Sequence, residues 1–294
     1  MIDRSALSYL YSGVIMTPAT KISVIISTYN WPQALEPVLR SIESQTDRNF
    51  EVIIADDGSK QETVDLINSY AERSSIPIKH YWQEDDGYRL AASRNGAVGL
   101  AEGDYLIFSD GDCCFMPDFI SSHRKLAEKG WLVAGRRIYL KSGFTKKALE
   151  KGWRFFKWSR PVLFLLGITA QCNRPFQFIP LPQSEQKRKS KSQNWEQVQT
   201  CNLAVWKDDF YKVDGFDESY VGHGCEDSDF TLRLIRSGVR RITANHTSPV
   251  LHIYHSRSIP GRADTECLNP QRFQALLESD RHTAVLGISS HQGS

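Results

Sequence analysis

Hydrophobic positions along the chain fall into two alternating patterns. Short continuous apolar runs, KISVIISTYN at 21–30, FEVIIADDGS at 50–59 and DYLIFSDGD at 104–112, have the length and β-branched content of strands buried on both faces. IKHYWQE at 78–84 predicts a further strand. Between these runs the apolar positions recur at helical spacing. In NWPQALEPVLRSIESQT (30–46), Leu35, Leu39 and Ile42 form a stripe. There Asn30 is placed to cap the helix and Pro32 suits its first turn, while Pro37 predicts a kink or a later start. ETVDLINSYAE (62–72) reads as a second helix and LAASRNGAVGLAEG (90–103) as a third, closed by Gly103.

Strand–helix alternation with continuous apolar strands predicts an α/β fold, a mostly parallel sheet with helices on both faces. Ligands of such sheets sit beyond the carboxyl ends of the strands. Thr28-Tyr29-Asn30, Asp56-Asp57-Gly58-Ser59 and Asp110-Gly111-Asp112 therefore share one predicted rim. Neither GxGxxG nor GxxxxGK[ST] is present, so the two commonest nucleotide-binding fingerprints are missing. Residues 131–200 lose the periodicity: aromatic, aliphatic and basic residues mix, and SEQKRKSKSQN (184–194) reads as an exposed basic loop. Order returns at Cys201. EDSDFTLRLIRSG (226–238) is a helix opened by acids, striped by Phe230, Leu234 and Ile235 and stopped at Gly238, and ITANHTSPVLHIYHS (242–256) is strand-like.

Bulk composition narrows the class. A 294-residue chain with 40% hydrophobic and 24% charged residues can build a substantial core. Net charge of +2 is too balanced to argue for nucleic acid as a partner. Seven Trp and eleven Tyr suit sugar-binding faces, although core packing is the commoner use of aromatic residues. The six cysteines (113, 114, 172, 201, 225 and 267) include no CxxC pair, and adjacent Cys113 and Cys114 do not easily bridge, so a reducing compartment is expected. The first twenty residues are a poor signal peptide, and no apolar run reaches the length of a membrane span.

Four constellations could carry chemistry. Asp110 and Asp112 repel unless a cation or donors compensate, and the alternative is a solvated Asx turn. Their place after a buried strand favours the cation, with oxygen ligands suiting Mg²⁺ or Mn²⁺. His252 and His255 would tilt the choice toward Mn²⁺. Three apart on a strand they point to opposite faces, so joint ligation needs a bend; otherwise one is structural and one exposed. Asp56, Asp57 and Ser59 suit a type I turn or, as acceptors, a base and ribose. Glu226 and Asp227 either cap their helix or supply a general base, and the helix N-terminus is expected to lower their pKa.

Taken in order, SVIISTYN, VIIADDGS, AASRNGA and LIFSDGDC resemble the family 2 glycosyltransferases of bacteria, inverting enzymes of the GT-A fold. From 202 to 273, NLAVWKDDFYKVDGFDE, GHGCEDSDF, IYHSR and NPQRF resemble the galactosyltransferase module of β-1,4-galactosyltransferases and chondroitin-type polymerases. The resemblance covers roughly 21–125 and 200–275. It implies an N-terminal extension at 1–20, a nucleotide-sugar-binding half at 21–130, a variable insert at 131–200, an acceptor and catalytic half at 201–275 and a tail at 276–294. It implies metal binding by Asp112 and His255, with His252 as a second nitrogen ligand, and Asp110 at the ribose or metal shell. Thr28, Tyr29 and Asp57 or Asp56 would hold uracil and ribose, and Arg94 would lie by the diphosphate or steady the aspartates. Asp227 matches the catalytic base and Glu226 its acceptor-binding neighbour. Val221, His223 and Cys225 stand where the galactosyltransferase pattern has tryptophans and a third glycine, so galactose is not carried over.

The implied reaction moves galactose, glucose or an N-acetylhexosamine from a UDP-sugar to a glycan hydroxyl, with Mn²⁺ or Mg²⁺, inversion and a β-linkage. A sugar-phosphate nucleotidyltransferase is the enzymatic alternative, and the missing Gly-rich loop after the first strand argues against it. A non-catalytic carbohydrate-binding module is the other, and the presence of both acid pairs argues against it. WRFFKWSRPVLFLL (153–166) is either a core-packed helix or a membrane-surface patch serving a lipid-linked acceptor, assisted by the basic loop. The family's usual work then suggests a lipopolysaccharide core or other surface glycan, built in the cytoplasm at the inner membrane face.

Overall fold

A computed structural model describes residues 21–256 and 268–291. The expected 1–20 extension, the signal-peptide reading and Cys267 lie outside the described residues. The chain opens β1 (Ile22–Thr28), α1 (Pro32–Ile42), β2 (Phe50–Asp56), α2 (Gln61–Arg73), β3 (Ile78–Trp82), α3 (Leu90–Gly99), β4 (Tyr105–Asp110) and β5 (Cys113–Phe115). It continues with α4 (Phe119–Leu126), β6 (Trp131–Ala134), β7 (Arg137–Tyr139), α5 (Ser142–Glu150), α6 (Arg160–Ile168) and α7 (Glu185–Lys189). The last elements are β8 (Leu203–Trp206), α8 (Lys207–Lys212), α9 (Glu226–Arg236), β9 (Arg240–Thr243), β10 (Val250–His252) and α10 (Asn269–Leu277).

Seven strands form the central sheet in the order β3-β2-β1-β4-β8-β6-β9. All pairings are parallel except those of β8, which runs antiparallel to both β4 and β6. Strand alternation divides the core between the two faces. Val24, Ile26, Val52 and Ile54 pack with Leu35 and Val38 of α1, while Ile25 and Ile53 pack with Ala97 and Val98 of α3 and with Phe108, Phe216 and Phe230. A smaller sheet, β5-β10-β7, stands beyond the end of β4. Register places Thr28 beside Asp56 and Ser27 beside Asp110, so the polar strand ends do share one rim.

Local departures from the sequence pattern have identifiable causes. α1 runs unbroken through Pro37. Proline there forfeits the bond that residue 37 would donate to Gln33 O, and its own burial on the core face offsets the loss. Asn30 does not cap α1: at φ 46° it receives Lys60 N on Oδ1 (2.7 Å) and donates its own N–H to Ser59 Oγ (2.9 Å), tying the first rim loop to the second. α3 ends at Gly99, not Gly103, because Gly103 is needed under β1, where its N–H donates to Ser23 Oγ at 2.9 Å. The 242–256 segment is two strands, broken by a turn in which His246 adopts φ 64°. Within 153–166, Phe155, Phe156 and Leu163 enter the core, whereas Val162 and Leu165 of α6 face solvent, with Ile168 just beyond. Among the described residues, no helix is long and apolar enough to cross a membrane.

Candidate active site

β4 delivers Asp110 to the rim, and the chain then turns through Gly111 into β5. Glycine is required at this turn: a Cβ at 111 would lie 2.9 Å from Ser27 O, the atom that accepts Gly111 N–H at 2.7 Å. The tight turn aims the two acids differently while keeping a carboxylate oxygen of each within 4.8 Å of the other. Asp110 stays over the main sheet, and Asp112 faces the small sheet, where its carbonyl accepts Ile253 N–H at 2.8 Å.

β10 ends at His252, and the chain bends immediately after it. The bend brings both imidazoles to one carboxylate: His252 Nε2 and His255 Nε2 each lie 3.3 Å from Asp112 Oδ2. His255 Nδ1 lies 2.8 Å from Ser256 O, and a carbonyl only accepts, so Nδ1 carries a proton and Nε2 is the nitrogen turned toward Asp112. Trp31 meets His255 edge-on at 5.6 Å, and Tyr139 packs on His252 at 4.9 Å. Burial would raise the Asp112 carboxyl, but the His255 hydrogen bond and the two imidazoles bring it below its usual range. The hydrogen bond that His255 donates to Asp112 raises His255, and burial lowers His252. One carboxylate oxygen and two imidazole nitrogens within 4.8 Å of one another fit a divalent transition metal. His252 Nδ1 is buried without a hydrogen-bond partner, so that ring is oriented by Asp112 at Nε2 and by packing.

Opposite this cluster, α3 buries Arg94 at the centre of three acids. Its guanidinium lies 3.3 Å from Asp110 Oδ1, 3.5 Å from Asp227 Oδ1 and 3.7 Å from Glu226 Oε1, and its Nε donates to Ser27 Oγ at 3.1 Å. Arg137, from β7, adds a second cation 3.7 Å from Asp110 Oδ2. Burial and the charge of Asp112 push the Asp110 carboxyl up to about 6 despite both arginines. Glu226 goes further, to about 8, through burial and the charge of Asp227. The expected lowering at the helix N-terminus is therefore reversed for Glu226: desolvation and a neighbouring carboxylate outweigh the helix dipole.

Asp227 is held from the far side of the sheet. Thr200 donates its hydroxyl to Oδ1 (2.6 Å) and its N–H to Oδ2 (3.1 Å). The approach to α9 is sharply turned: Gly222, Gly224 and Cys225 have φ of 86°, 98° and 70°. The second rim loop is internally braced. Asp56 accepts from Ser59 N (2.8 Å) and contacts His80 Nε2 (3.0 Å), and Asp57 accepts from Gln83 Nε2 (2.6 Å) and Arg89 N (2.9 Å). Thr28 is nearly buried beside them, and Tyr29 OH donates to Asp85 Oδ2 at 2.8 Å. Sequence reasoning overlooked Ser27, Tyr88, Arg137 and Thr200. Tyr88 lies close enough to Glu226 and Arg94 to feel their charges, and burial raises its phenol. Tyr88 adjoins the AASRNGA segment and was within reach of a motif argument, whereas Arg137 and Thr200 come from a stretch with no periodicity.

Residues 23–192, more than half of the chain, match the model of glycosyl transferase family 2. The chain belongs to that family. Residues 184–256 match a second model, the N-terminal domain of galactosyltransferase. A validoxylamine A glucosyltransferase of Streptomyces hygroscopicus subsp. jinggangensis is 30% identical over 266 residues, covering 86% of this chain and 60% of that protein. The chain thus spans less than two thirds of that relative's length. Two solved structures share the fold at low identity. The mannosyltransferase PcManGT from Pyrobaculum calidifontis, in complex with GDP-Man and Mn²⁺, has a TM-score of 0.56 at 18% identity, over 86% of this chain and 64% of that one. GalNAc-T7 with UDP, GalNAc and Mn²⁺ has a TM-score of 0.58 at 16% identity, over 85% and 46%. The family 2 glycosyltransferase has the GT-A fold that its sequence resemblance implies, on the mostly parallel sheet that its strand–helix pattern predicts.

Proposed function

We propose that this family 2 glycosyltransferase is a metal-dependent, inverting hexosyltransferase that moves a sugar from a UDP-sugar to a glycan hydroxyl with formation of a β-linkage. One observation carries the reading: a candidate metal-ligand set and an arginine-bound acid pair adjoin at Asp110 and Asp112 on the carboxyl rim of the sheet. Asp112, His252 and His255 would hold the metal. A divalent ion bound there would act as a Lewis acid toward the negative charge of the departing diphosphate. Asp227 takes the proton of the acceptor hydroxyl, and the two donors from Thr200 fix the direction from which it does so. The acceptor oxygen attacks the anomeric carbon from the face opposite the diphosphate, so an α-linked donor yields a β-linked product without a covalent enzyme intermediate. Glu226, carrying a proton near neutral pH, donates to or accepts from a neighbouring acceptor hydroxyl. Arg94 keeps the acids together, and Thr28, Tyr29, Asp56 and Asp57 shape the nucleotide side.

Uridine as the base rests on the rim motifs and on the UDP in GalNAc-T7, while PcManGT binds GDP-Man, so the donor screen includes both. Incubation with UDP-glucose, UDP-galactose, UDP-N-acetylhexosamines and GDP-mannose, with Mn²⁺ or Mg²⁺, should release UDP from at least one donor. Asp227→Asn should lose transfer while still binding donor; transfer near the unaltered rate would remove Asp227 from the role of base. The acceptor reading is a surface glycan such as a lipopolysaccharide core, made at the cytoplasmic membrane face. The outward apolar side chains of Val162, Leu165, Ile168 and Phe176 support peripheral membrane contact. Co-sedimentation with anionic liposomes should fall when these four are changed to Ser; unchanged co-sedimentation would retire the membrane contact.

A further inference from the structure

A second polar site lies away from the aspartates. A cavity of about 230 Å³ is lined by five cations, Arg136, Lys187, Arg188, Lys191 and Arg241, against one carboxylate, Glu196. That volume suits a single charged group or one sugar ring, not a nucleotide-sugar. Among the described residues, the other fully buried arginines have acids beside them: Arg94 has three and Arg233 has Asp229. The cavity arginines do not. Among the described residues, none of the five cations has a carboxylate within ion-pair distance, although Arg241 is only 5% exposed. Arg136, Arg188 and Arg241 are all lowered by burial, Arg136 further by Arg174 and Arg241 further by Arg136.

Their hydrogen bonds go to neutral oxygens: Arg241 Nη1 to Asn194 O (2.9 Å) and Glu196 O (3.1 Å), Arg188 Nη1 to Thr243 O (3.2 Å), Arg136 Nη2 to Gln197 Oε1 (3.3 Å). Arg241 Nε, Gln183 Oε1 and Asn245 Oδ1, all on lining residues, are buried and make no hydrogen bond. Buried like charges without a counter-anion are costly, and so are unpaired polar atoms. Arg241 carries this cost in full, Arg136 and Arg188 carry part of it as half-buried residues, and Lys187 and Lys191 are exposed. An anion would offset the clustered charge and give Arg241 Nε an acceptor, whereas the two amide oxygens, acceptors themselves, would gain nothing from it.

The cavity connects to the candidate active site along the chain. Arg136 and Arg137 are consecutive; Arg137 reaches Asp110, and Arg136 lines the cavity. Gln197, the partner of Arg136, lies three residues before Thr200, which holds Asp227. An anion bound there is thus held on the chain that positions the proposed base. We propose that this cavity binds a phosphate or carboxylate carried by the acceptor, so that the acceptor is an anionic glycan. The proposal rests on the transferase reading for the word acceptor and on the cavity alone for the anion.

Calorimetric titration of the full chain with inorganic phosphate, and separately with glucuronate, at low ionic strength and with a chelator, tests it. Saturable binding in the millimolar range is expected for at least one of the two, and the tighter one identifies the anion. Lys187→Gln combined with Arg188→Gln should weaken it at least tenfold, and Glu196→Gln should tighten it several-fold. Binding that ignores all three substitutions, or no saturable binding of either anion, overturns the proposal. The Glu196→Gln arm decides the matter even if the double variant fails to fold. UDP release by the unaltered protein, measured in parallel, judges the transferase reading by itself.

Discussion

Replacing Arg94 by Met puts the electrostatics of the acid cluster to its sharpest test. Methionine keeps much of the volume and removes the charge. In the folded protein the guanidinium has three carboxylates at 3.3–3.7 Å and almost no solvent. At an effective dielectric near 20, each contact is worth roughly 4 kcal/mol before desolvation. Desolvation cancels much of this, and removing one partner of a buried ion pair costs about 3–5 kcal/mol net. The variant can recover part of that loss by taking up protons. Asp110 and Glu226 are already raised to about 6 and about 8, and Arg94 is a force holding both down. Without it both rise further, so the folded variant binds protons that the unfolded chain, with ordinary carboxylates, releases. Stability of the variant therefore increases as pH falls. Urea denaturation in metal-free buffer should show a deficit of about 3–5 kcal/mol at pH 8 that shrinks by at least half at pH 5. A deficit that is the same at both pH values would refute the reasoning and point to lost packing as the whole effect.

Glu226→Gln isolates the group with the largest rise. Its carboxyl titrates near 8 when folded against 4.5 ordinarily, so folding holds a proton across that window and stability falls as pH rises through it. The Gln variant should show a shallower loss of denaturation midpoint between pH 5 and 8.5; equal slopes would contradict the assignment. Cys225 occupies a left-handed conformation that disfavours a side chain, so Cys225→Gly should raise stability by about 1 kcal/mol, read as a small increase in Tm. No increase would mean that its other contacts offset the backbone cost. His252→Ala and His255→Ala should each weaken Mn²⁺ binding at least tenfold by electron paramagnetic resonance, since each removes one of three candidate ligands. Unchanged binding in either would strike that histidine from the ligand set.

Strands β1, β2 and β4 were legible because each is a continuous apolar run ended by polar residues. Their shared rim follows from parallel pairing and needs no long-range information. The convergence of His252 and His255 was legible only as a condition: a straight strand forbids it, and the bend after His252 that permits it depends on pairing with β5 and β7. Thr200 and Arg137 could not be read, because the segment that carries them is ordered by tertiary contact and has no period of its own. The Glu226 reversal was hidden for a related reason. A helix N-terminus is visible in sequence, but the degree of burial that overrides it is not.

The antiparallel strand β8 has a consequence for how the chain is made. β4 lies in the middle of the finished sheet, yet its partner on one side is β8, about a hundred residues further along, some five to twenty seconds of synthesis. Until Leu203–Trp206 emerge, the flank Tyr105–Phe108 is an apolar strand with an open edge, a template for pairing with another chain. A nascent chain stalled anywhere in the intervening stretch would carry that edge uncovered. Truncations ending between residues 131 and 200 should therefore aggregate, whereas chains that include β8 should stay dispersed.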